Sequence, residues 1–206
     1  QARIIRGSGV NLDNYRYLPE PDGKPIVVMA ARLLKDKGVL EFVEAARLLK
    51  IRGLDIEMRL IGSPDPGNPT SVTLQELERW ERDGYVSLLG YCEDIAQQYS
   101  AANIICLPSY REGLPKSLVE AAACGRAVVT TDVPGCRDAI IANVTGILVP
   151  VKDTHALADA IQELVENPDK RLVMGAEGRK LAEAHFSIEN IVGQHMKIYE
   201  EVLQNA

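Results

Sequence analysis

The sequence predicts an α/β fold in which a parallel sheet is covered by helices on both faces. Short apolar, β-branched segments alternate along the chain with longer segments of helical periodicity. Repeated strand–helix units of this kind favour a parallel sheet buried on both faces. Polar residues able to bind a ligand follow several of the strands, and ligands of such sheets bind at the carboxyl ends of the strands. The 206 residues suffice for one domain with a sizeable core.

The secondary structure elements follow from composition and periodicity. The apolar, β-branched segments predict strands at residues 25–31, 56–61, 86–89, 103–107, 127–131 and 146–149. Helical spacing of apolar residues predicts helices at residues 38–51, 72–82, 95–101, 116–124, 134–141, 154–166, 168–184 and 188–203. Gly125 is predicted to stop one helix, and Asp153 and Ser187 are predicted to cap the starts of two others.

Composition excludes several classes of function. The net charge of −6 argues against a nucleic-acid binder and against a generally basic membrane surface, so an anionic ligand would have to be bound by local groups. The four cysteines lack CxxC spacing, which favours reduced thiols in a cytosolic protein over disulfides or zinc ligands. We find no signal peptide and no apolar segment of transmembrane length. Because the chain begins at Gln1, we interpret it as part of a longer protein.

The segment YREGLPKSLVE, residues 110–120, is the most informative of the chain. It follows a predicted strand and leads into a helix, and a helix start offers free N–H groups and a positive dipole end that suit a phosphate. Glu112 lies in the loop ahead of this helix, and Glu120 lies about two turns into it. A phosphate at the helix start would therefore have one carboxylate near each of its two substituents. This arrangement suits a sugar on one side and a ribose on the other.

Arg32 and Lys37 follow the first long strand of the predicted sheet. Arginine offers a planar fork for phosphate oxygens, and lysine offers a point charge. From spacing alone, a diphosphate site and a solvated pair of cations at the sheet edge are about equally acceptable interpretations.

In this order, the segments resemble the retaining glycosyltransferases of family 4, also called group 1, and in particular those of bacterial surface-polysaccharide synthesis. Glu112 and Glu120 match the Glu-x7-Glu signature of that family. Three further segments match family segments in the same order: GSGVN at residues 7–11, VMAARLLKDKG at 28–38, and LGY at 89–91 followed by Asp94. The resemblance covers essentially the whole chain.

The resemblance implies that the sheet is the Rossmann-like C-terminal half of a GT-B fold, and that residues 1–206 form a single nucleotide-sugar-binding domain. Such an enzyme transfers a sugar from a nucleotide-sugar, here expected to be a UDP-sugar, to a glycan or lipid-linked acceptor with retention of configuration, in polysaccharide or glycolipid synthesis. The acceptor would be held by a missing N-terminal domain on which the helix 188–203 packs, so the isolated domain is expected to be inactive. No cofactor, metal or nucleic acid is implied. The expected location is the cytoplasm, and peripheral association of the full-length protein with the inner face of the membrane is compatible with it.

The resemblance also implies roles for single residues. The catalytic residues would be Glu112, Arg32 and Lys37. The substrate-binding residues would be Gly7, Gly9, Arg32, Lys37, Tyr91, Glu112, Gly113, Leu114, Lys116, Ser117 and Glu120. Many relatives have a glycine where this chain has Pro115, and since proline lacks an N–H, Lys116 and Ser117 are the expected backbone donors to phosphate.

Several alternatives stay open on the sequence. Gly7 and Gly9 fit either a loop near the diphosphate or an ordinary linker, and Tyr91 fits either a stacking platform or a half-buried side chain. The segment TTDVPGCRD, residues 130–138, would either line the cleft or support the loop of Glu112. A non-catalytic nucleotide-sugar-binding module and a UDP-sugar epimerase of GT-B fold are the alternative functions. A dehydrogenase is disfavoured, because no Gly-x-Gly-x-x-Gly follows the first strand.

Overall fold

The computed structural model describes Ile5, Gly7 and residues 9–204. These residues form a six-stranded sheet in the order β3-β2-β1-β4-β5-β6, with each pair of neighbouring strands parallel. The strands are β1 (Ile26–Ala30), β2 (Glu57–Ile61), β3 (Ser87–Gly90), β4 (Ile104–Leu107), β5 (Ala127–Thr131) and β6 (Gly146–Val149). This is the strand order of the doubly wound Rossmann fold, so the predicted fold class is confirmed.

Helices connect the strands and cover the sheet. They are α1 (Val39–Ile51), α2 (Leu74–Arg82), α3 (Ile95–Ser100), α4 (Lys116–Ala123), α5 (Pro134–Ala139), α6 (Thr154–Glu166), α7 (Pro168–Leu181) and α8 (Ile188–Gln204). A 3₁₀ turn (Lys35–Lys37) precedes α1, and a π-helical turn (Ala182–Phe186) separates α7 from α8. Helix α1 packs against α6, whereas α4 packs against α3 and α7. Among the described residues, no helix combines the length and apolar character needed to cross a membrane.

The strand order reverses between β1 and β4, which pair through Val27 with Ile104 and Val28 with Ile105. At such a switch point the connections leave to opposite sides and open a crevice outside the carboxyl ends of the two strands. Helix α1 starts just after β1, and α4 starts after β4. The loops that follow these two strands are therefore the ones that can close around a ligand.

The core is densest in the middle of the sheet. Every residue of β4 and β5 is buried, as expected for central strands covered on both faces. Helix α1 buries an apolar stripe that includes Val39, Phe42 and Leu49, all with no exposed surface. Burying a side chain of this size stabilises a fold by roughly 1.5–3 kcal/mol, so this stripe fixes the helix on the sheet.

Three predicted helix ends are confirmed by their hydrogen bonds. The Asp153 carboxylate accepts from Ala156 N at 2.9 Å, and the Ser187 hydroxyl accepts from Asn190 N at 3.2 Å. Gly125 follows α4 with a φ of 67°, the left-handed conformation that ends a helix.

Two helix boundaries differ from the prediction. Helix α2 starts at Leu74, two residues later than the predicted 72, because Thr73 and Glu76 form a capping box with bonds of 3.2 and 2.7 Å. Helix α7 ends at Leu181 instead of 184, because the backbone widens there into the π-helical turn.

The start of the described chain is joined to the start of α8. Val10 N donates to Phe186 O at 2.8 Å, and Ile188 N donates to Val10 O at 3.0 Å. A Cβ atom on Gly9 would lie 2.8 Å from Ile188 Cα, so the absence of a side chain permits this approach. Residues at both ends of the chain therefore meet at one place on the surface.

Candidate functional site

A cavity of about 630 Å³ opens at the switch point, between the loops that follow β1 and β4. The predicted site residues that line it are Arg32, Lys37, Tyr91, Glu112, Lys116, Ser117 and Glu120. They come from four different loops and helix starts, so the fold brings together side chains that are up to 88 positions apart, from Arg32 to Glu120 (120 − 32 = 88). The topology predicts this convergence, because all of them follow the carboxyl ends of strands.

Four other predicted residues do not line the cavity: Gly7, Gly9, Gly113 and Leu114. Gly7 has a φ of 73°, and a Cβ atom there would lie 2.6 Å from the Leu114 side chain. Gly7 and Leu114 therefore pack on each other beside the loop that carries Glu112. Contact of these four residues with a ligand stays a prediction.

Lys37 and Glu112 form an ion pair across the crevice, with 2.6 Å between Lys37 Nζ and Glu112 Oε1. The two side chains are only 24% and 11% exposed, so water screens their interaction less than that of a surface pair. The sequence placed Lys37 at a diphosphate and Glu112 at a sugar. Since these groups are adjacent in a nucleotide-sugar, the contact between the two side chains is compatible with both roles.

Arg32 is the most exposed cation of the cavity, with 65% of its side chain accessible. Its Nη1 lies 3.7 Å from Asp65 Oδ2, too far for a hydrogen bond. An exposed ion pair of this kind contributes little to stability. The guanidinium group is therefore free to turn towards an anion in the cavity.

Glu120 is buried, with 6% of its surface exposed, which excludes the interpretation of this residue as an exposed helical carboxylate. The Tyr15 hydroxyl donates to Glu120 Oε1 at 2.7 Å, and Lys116 Nζ lies 3.3 Å from the same oxygen. Burial, and after it the hydrogen bond to Glu120, raises the pKa of Tyr15. The phenol therefore stays a donor at neutral pH and holds the carboxylate at the wall of the cavity.

Helix α4 points its start into the cavity. Its N-cap is Pro115, which has no capping side chain, and Leu118 N donates to Pro115 O at 3.1 Å. The N–H groups of Lys116 and Ser117 have no carbonyl in a preceding helical turn to bind. These amides and the dipole of the helix form a local positive site in a chain that is negative overall.

The far end of the cavity is apolar and aromatic. Ile95 and Tyr99 line it, and complete burial raises the pKa of the Tyr99 phenol well above its usual range. Tyr91 is 76% exposed at the rim, so it is neither half-buried nor packed against a neighbouring element. Asp94, which belongs to the matched turn, caps α3 by accepting from Gln97 N at 2.9 Å.

The segment 130–138 supports the loop of Glu112 and does not line the cavity. The Thr131 hydroxyl donates to the carbonyl oxygen of Ser109, in the loop that follows β4. A Cβ atom on Gly135 would overlap the carbonyl oxygens of Glu112 and Gly113, so α5 packs directly on this loop. Of the two interpretations left open by the sequence, the structure favours support.

Sequence reasoning missed four residues of this site: Tyr15, Asp65, Ile95 and Tyr99. Tyr15 lies 105 positions from Glu120, and no local pattern marks it as a partner of that carboxylate. Ile95 and Tyr99 have the spacing of core-facing residues on a short helix, which conceals their place at the cavity. Across the described part of the chain, no group of three or more His, Cys, Asp or Glu side chains is arranged to hold a metal ion.

Comparison with known proteins identifies the family. Residues 13–181 match the family described as "Glycosyl transferases group 1". Among curated proteins, the chain is 37% identical over 185 residues to the N,N'-diacetylbacillosaminyl-diphospho-undecaprenol alpha-1,3-N-acetylgalactosaminyltransferase of Campylobacter jejuni, covering 89% of this chain and 46% of that protein. The chain spans about half the length of the curated relatives that it matches.

Solved structures agree. Sucrose-phosphate synthase from Thermosynechococcus elongatus superposes with a TM-score of 0.84 at 29% identity, over 96% of this chain and 52% of that one. The pneumococcal O-GlcNAc transferase GtfA, solved in complex with UDP and GlcNAc, superposes with a TM-score of 0.74 at 25% identity, over 97% of this chain and 38% of that one. The chain belongs to the glycosyl transferases group 1 family and has the fold of its GT-B members.

Proposed function

We propose that this chain is the donor-binding domain of a retaining GT-B glycosyltransferase of family 4, and that its donor is a UDP-sugar. The observation that carries the proposal is the cavity at the switch point, where two cations, two carboxylates and a free helix start face one space. Each of these groups matches one part of a nucleotide-sugar. The complex of GtfA with UDP and GlcNAc supports the choice of nucleotide.

The donor would lie along the cavity with its base towards Ile95 and Tyr99. The ribose would reach Glu120, which Tyr15 holds in the wall at 2.7 Å. The diphosphate would lie at the start of α4, between the amides of that helix and the cations Arg32 and Lys37. The sugar would extend to Glu112, at the end of the cavity next to Lys37.

Catalysis would depend on the charge that develops as the donor breaks. The bond between the anomeric carbon and the β-phosphate oxygen breaks while the acceptor oxygen bonds to the same face of that carbon, and the proton of the acceptor leaves with the diphosphate. Arg32, Lys37 and the start of α4 would stabilise the developing negative charge of the nucleoside diphosphate, a role that needs no metal. Glu112 would hold the sugar through its hydroxyls and is not assigned as a nucleophile.

The acceptor would be a glycan or a lipid-linked sugar in polysaccharide or glycolipid synthesis. The name of the Campylobacter relative includes a diphospho-undecaprenol acceptor, which favours the lipid-linked class. Because the chain spans about half of its relatives, the acceptor site would lie in a further domain, and this chain alone would bind donor without transferring sugar.

The two glutamates test this placement separately. Glu120→Ala should weaken UDP and UDP-sugar alike, by about 1.5–3 kcal/mol for a hydrogen bond to a charged group. Glu112→Ala should reduce only the additional affinity that the sugar provides. Isothermal titration calorimetry with UDP and a panel of UDP-sugars measures both effects.

Glu78→Ala, an exposed helical glutamate on α2, is the matched control and should change neither affinity. Loss of UDP binding in Glu112→Ala together with unchanged binding in Glu120→Ala would reverse the donor orientation. No binding of any nucleotide to the wild type would refute the proposal.

A further inference from the structure

We infer that Thr131 is a positioning residue for Glu112 and, through the same contacts, for the turn that carries Lys37. This inference rests on the proposed function, because it assigns a role towards the donor sugar to a side chain that does not touch the cavity. Three observations about the loop that follows β4, residues 108–113, carry it.

The first observation is the place of Thr131 at the end of the sheet. Pairing between β4 and β5 ends with Leu107 opposite Thr130, so the backbone of Thr131 has no partner in β4. Its side chain continues the connection, because the Thr131 hydroxyl donates to Ser109 O, two residues beyond the end of β4. Thr131 is only 1% exposed, so water cannot replace this bond.

The second observation is that Ser109 links the two ligand-binding loops. Its hydroxyl is completely buried and lies 3.2 Å from Asp36 O and 3.3 Å from Arg111 O. Tyr110 N also donates to Asp36 O, at 2.9 Å. The residues next to Lys37 and Glu112 are thus tied to the one serine whose carbonyl Thr131 binds.

The third observation is the contact on the other side of the loop. Gly135, in the first turn of α5, lies so close to the carbonyl groups of Glu112 and Gly113 that no side chain would fit there. The loop is therefore held by a hydroxyl at its start and by a helix at its end. Since catalytic groups must be held to within about 0.5 Å, this clamp is what gives a loop carboxylate a defined position.

A purely structural role for the threonine hydroxyls is the competing interpretation, and Thr130 provides the control for it. Thr130 is also completely buried, and its hydroxyl donates to Leu107 O at 2.7 Å. Its acceptor is inside β4, whereas the acceptor of Thr131 is in the loop. Loss of either hydroxyl should cost similar stability, but only loss of the Thr131 hydroxyl should disturb Glu112.

The experiment compares Thr131→Val, which removes the hydroxyl and keeps the shape, with Thr131→Ser, which keeps the hydroxyl, and with Thr130→Val. The first measurement is the ratio of the UDP and UDP-sugar dissociation constants by calorimetry, using the UDP-hexose that the wild type binds most tightly. We expect Thr131→Val to lower this ratio about ten-fold, as for one lost hydrogen bond to a charged group, with UDP affinity nearly unchanged. Thr131→Ser and Thr130→Val should keep the wild-type ratio.

The second measurement needs no ligand. Exchange of the Tyr110 amide proton, followed by NMR, should be at least ten-fold faster in Thr131→Val than in Thr130→Val. Ser109→Ala keeps the carbonyl that Thr131 binds and removes only the link to Asp36 and Arg111, so it tests the same clamp where the valine at 131 lowers the yield of folded protein. It should likewise speed the exchange of the Tyr110 amide.

The outcomes separate the two hypotheses. An unchanged affinity ratio and unchanged Tyr110 exchange in Thr131→Val, in a wild-type background that binds UDP-sugar, would overturn this inference alone. Equal effects in Thr130→Val would overturn it too, because they would show a general loss of stability. A wild-type protein that binds no nucleotide would overturn the proposed function, and with it any role of Thr131 towards a donor.

Discussion

Lys37 and Glu112 hold each other, whereas Glu120 is held by Tyr15. A phosphate that binds Lys37 competes with Glu112 for the same ammonium group. Glu112→Ala should therefore tighten UDP binding by about two- to five-fold, because removal of a partly exposed ion pair changes the free energy by about 0.5–1 kcal/mol. Lys37→Ala should weaken UDP binding. A calorimetric titration of both variants that showed changes of the same sign would argue against this competition.

Arg32 should contribute to the binding of the diphosphate and not of the nucleoside. Arg32→Ala should weaken UDP binding by about 1.5–3 kcal/mol, the value of a charge-assisted hydrogen bond, and leave uridine binding unchanged. Arg79→Ala, which removes an exposed arginine from α2, is the matched control. Equal losses for UDP and uridine would show that Arg32 does not contact phosphate.

The four cysteines provide an independent probe of the cavity. Cys106, Cys124 and Cys136 are buried, and burial raises the pKa of each thiol, whereas Cys92 is half-buried and lines the cavity. Thiolates are the reactive form, so an alkylating reagent should modify Cys92 first in the native protein. Saturating UDP should slow this modification, as followed by mass spectrometry of the intact chain. Faster modification of a buried cysteine, or no effect of UDP on Cys92, would contradict this placement of the ligand.

At the scale of elements, α8 is the helix least integrated into the fold. It buries Ile191, but five apolar residues along it stay largely exposed: Val192, Met196, Tyr199, Val202 and Leu203. The sequence predicted that this helix depends on a further domain. Amide protons from Met196 onwards should therefore exchange quickly in the isolated chain, because only burial against a partner would protect them. Strong protection throughout α8 in a monomer, measured by hydrogen exchange, would contradict this dependence.

The elements were predictable where composition and period agree. β4 and β5 are short, apolar and buried on both faces, and the sequence located both of them correctly. Boundaries were less predictable where a side chain decides them. Thr73 and Glu76 satisfy each other's backbone groups and delay α2, although Val72 extends the apolar pattern of that helix. The π-helical turn after Leu181 has no sequence signature of its own, because an additional residue per turn depends on how the helix packs.

At the scale of the whole molecule, a buried ion pair joins distant parts of the chain. Arg171 on α7 donates to Glu20 with 2.9 Å between Nε and Oε2, and the two side chains are each only 8% exposed. Glu20→Ala should lower the free energy of unfolding by about 3–5 kcal/mol, because it leaves a buried guanidinium without its carboxylate. Asp55→Ala, which breaks the exposed pair with Lys24, should cost about 0–1 kcal/mol. Urea unfolding measures both, and equal losses would contradict the difference in burial.

The site was predictable from the sequence as far as topology dictates it. Arg32, Lys37 and Glu112 each follow a strand, and the ends of β1 and β4 must meet at the switch point. Contacts that cross between distant loops were not predictable. The Tyr15 hydroxyl reaches Glu120 across 105 positions, and Ser109 O receives the hydroxyl of Thr131 across 22. Such bonds depend on the final packing of the loops, and no local pattern encodes them.

The central claim is that the cavity at the switch point, and not another part of the surface, binds a nucleoside diphosphate. A second cavity of about 630 Å³, formed by residues 17–23 with Asn103 and the start of α7, provides an internal control. The most direct test is an NMR titration of the chain with UDP. We expect the amide signals of Arg32, Lys37, Lys116 and Ser117 to shift and to saturate together, while those of Gly23, Asn103 and Leu172 stay unchanged. Shifts centred on the second cavity, or no saturable shift, would contradict the claim.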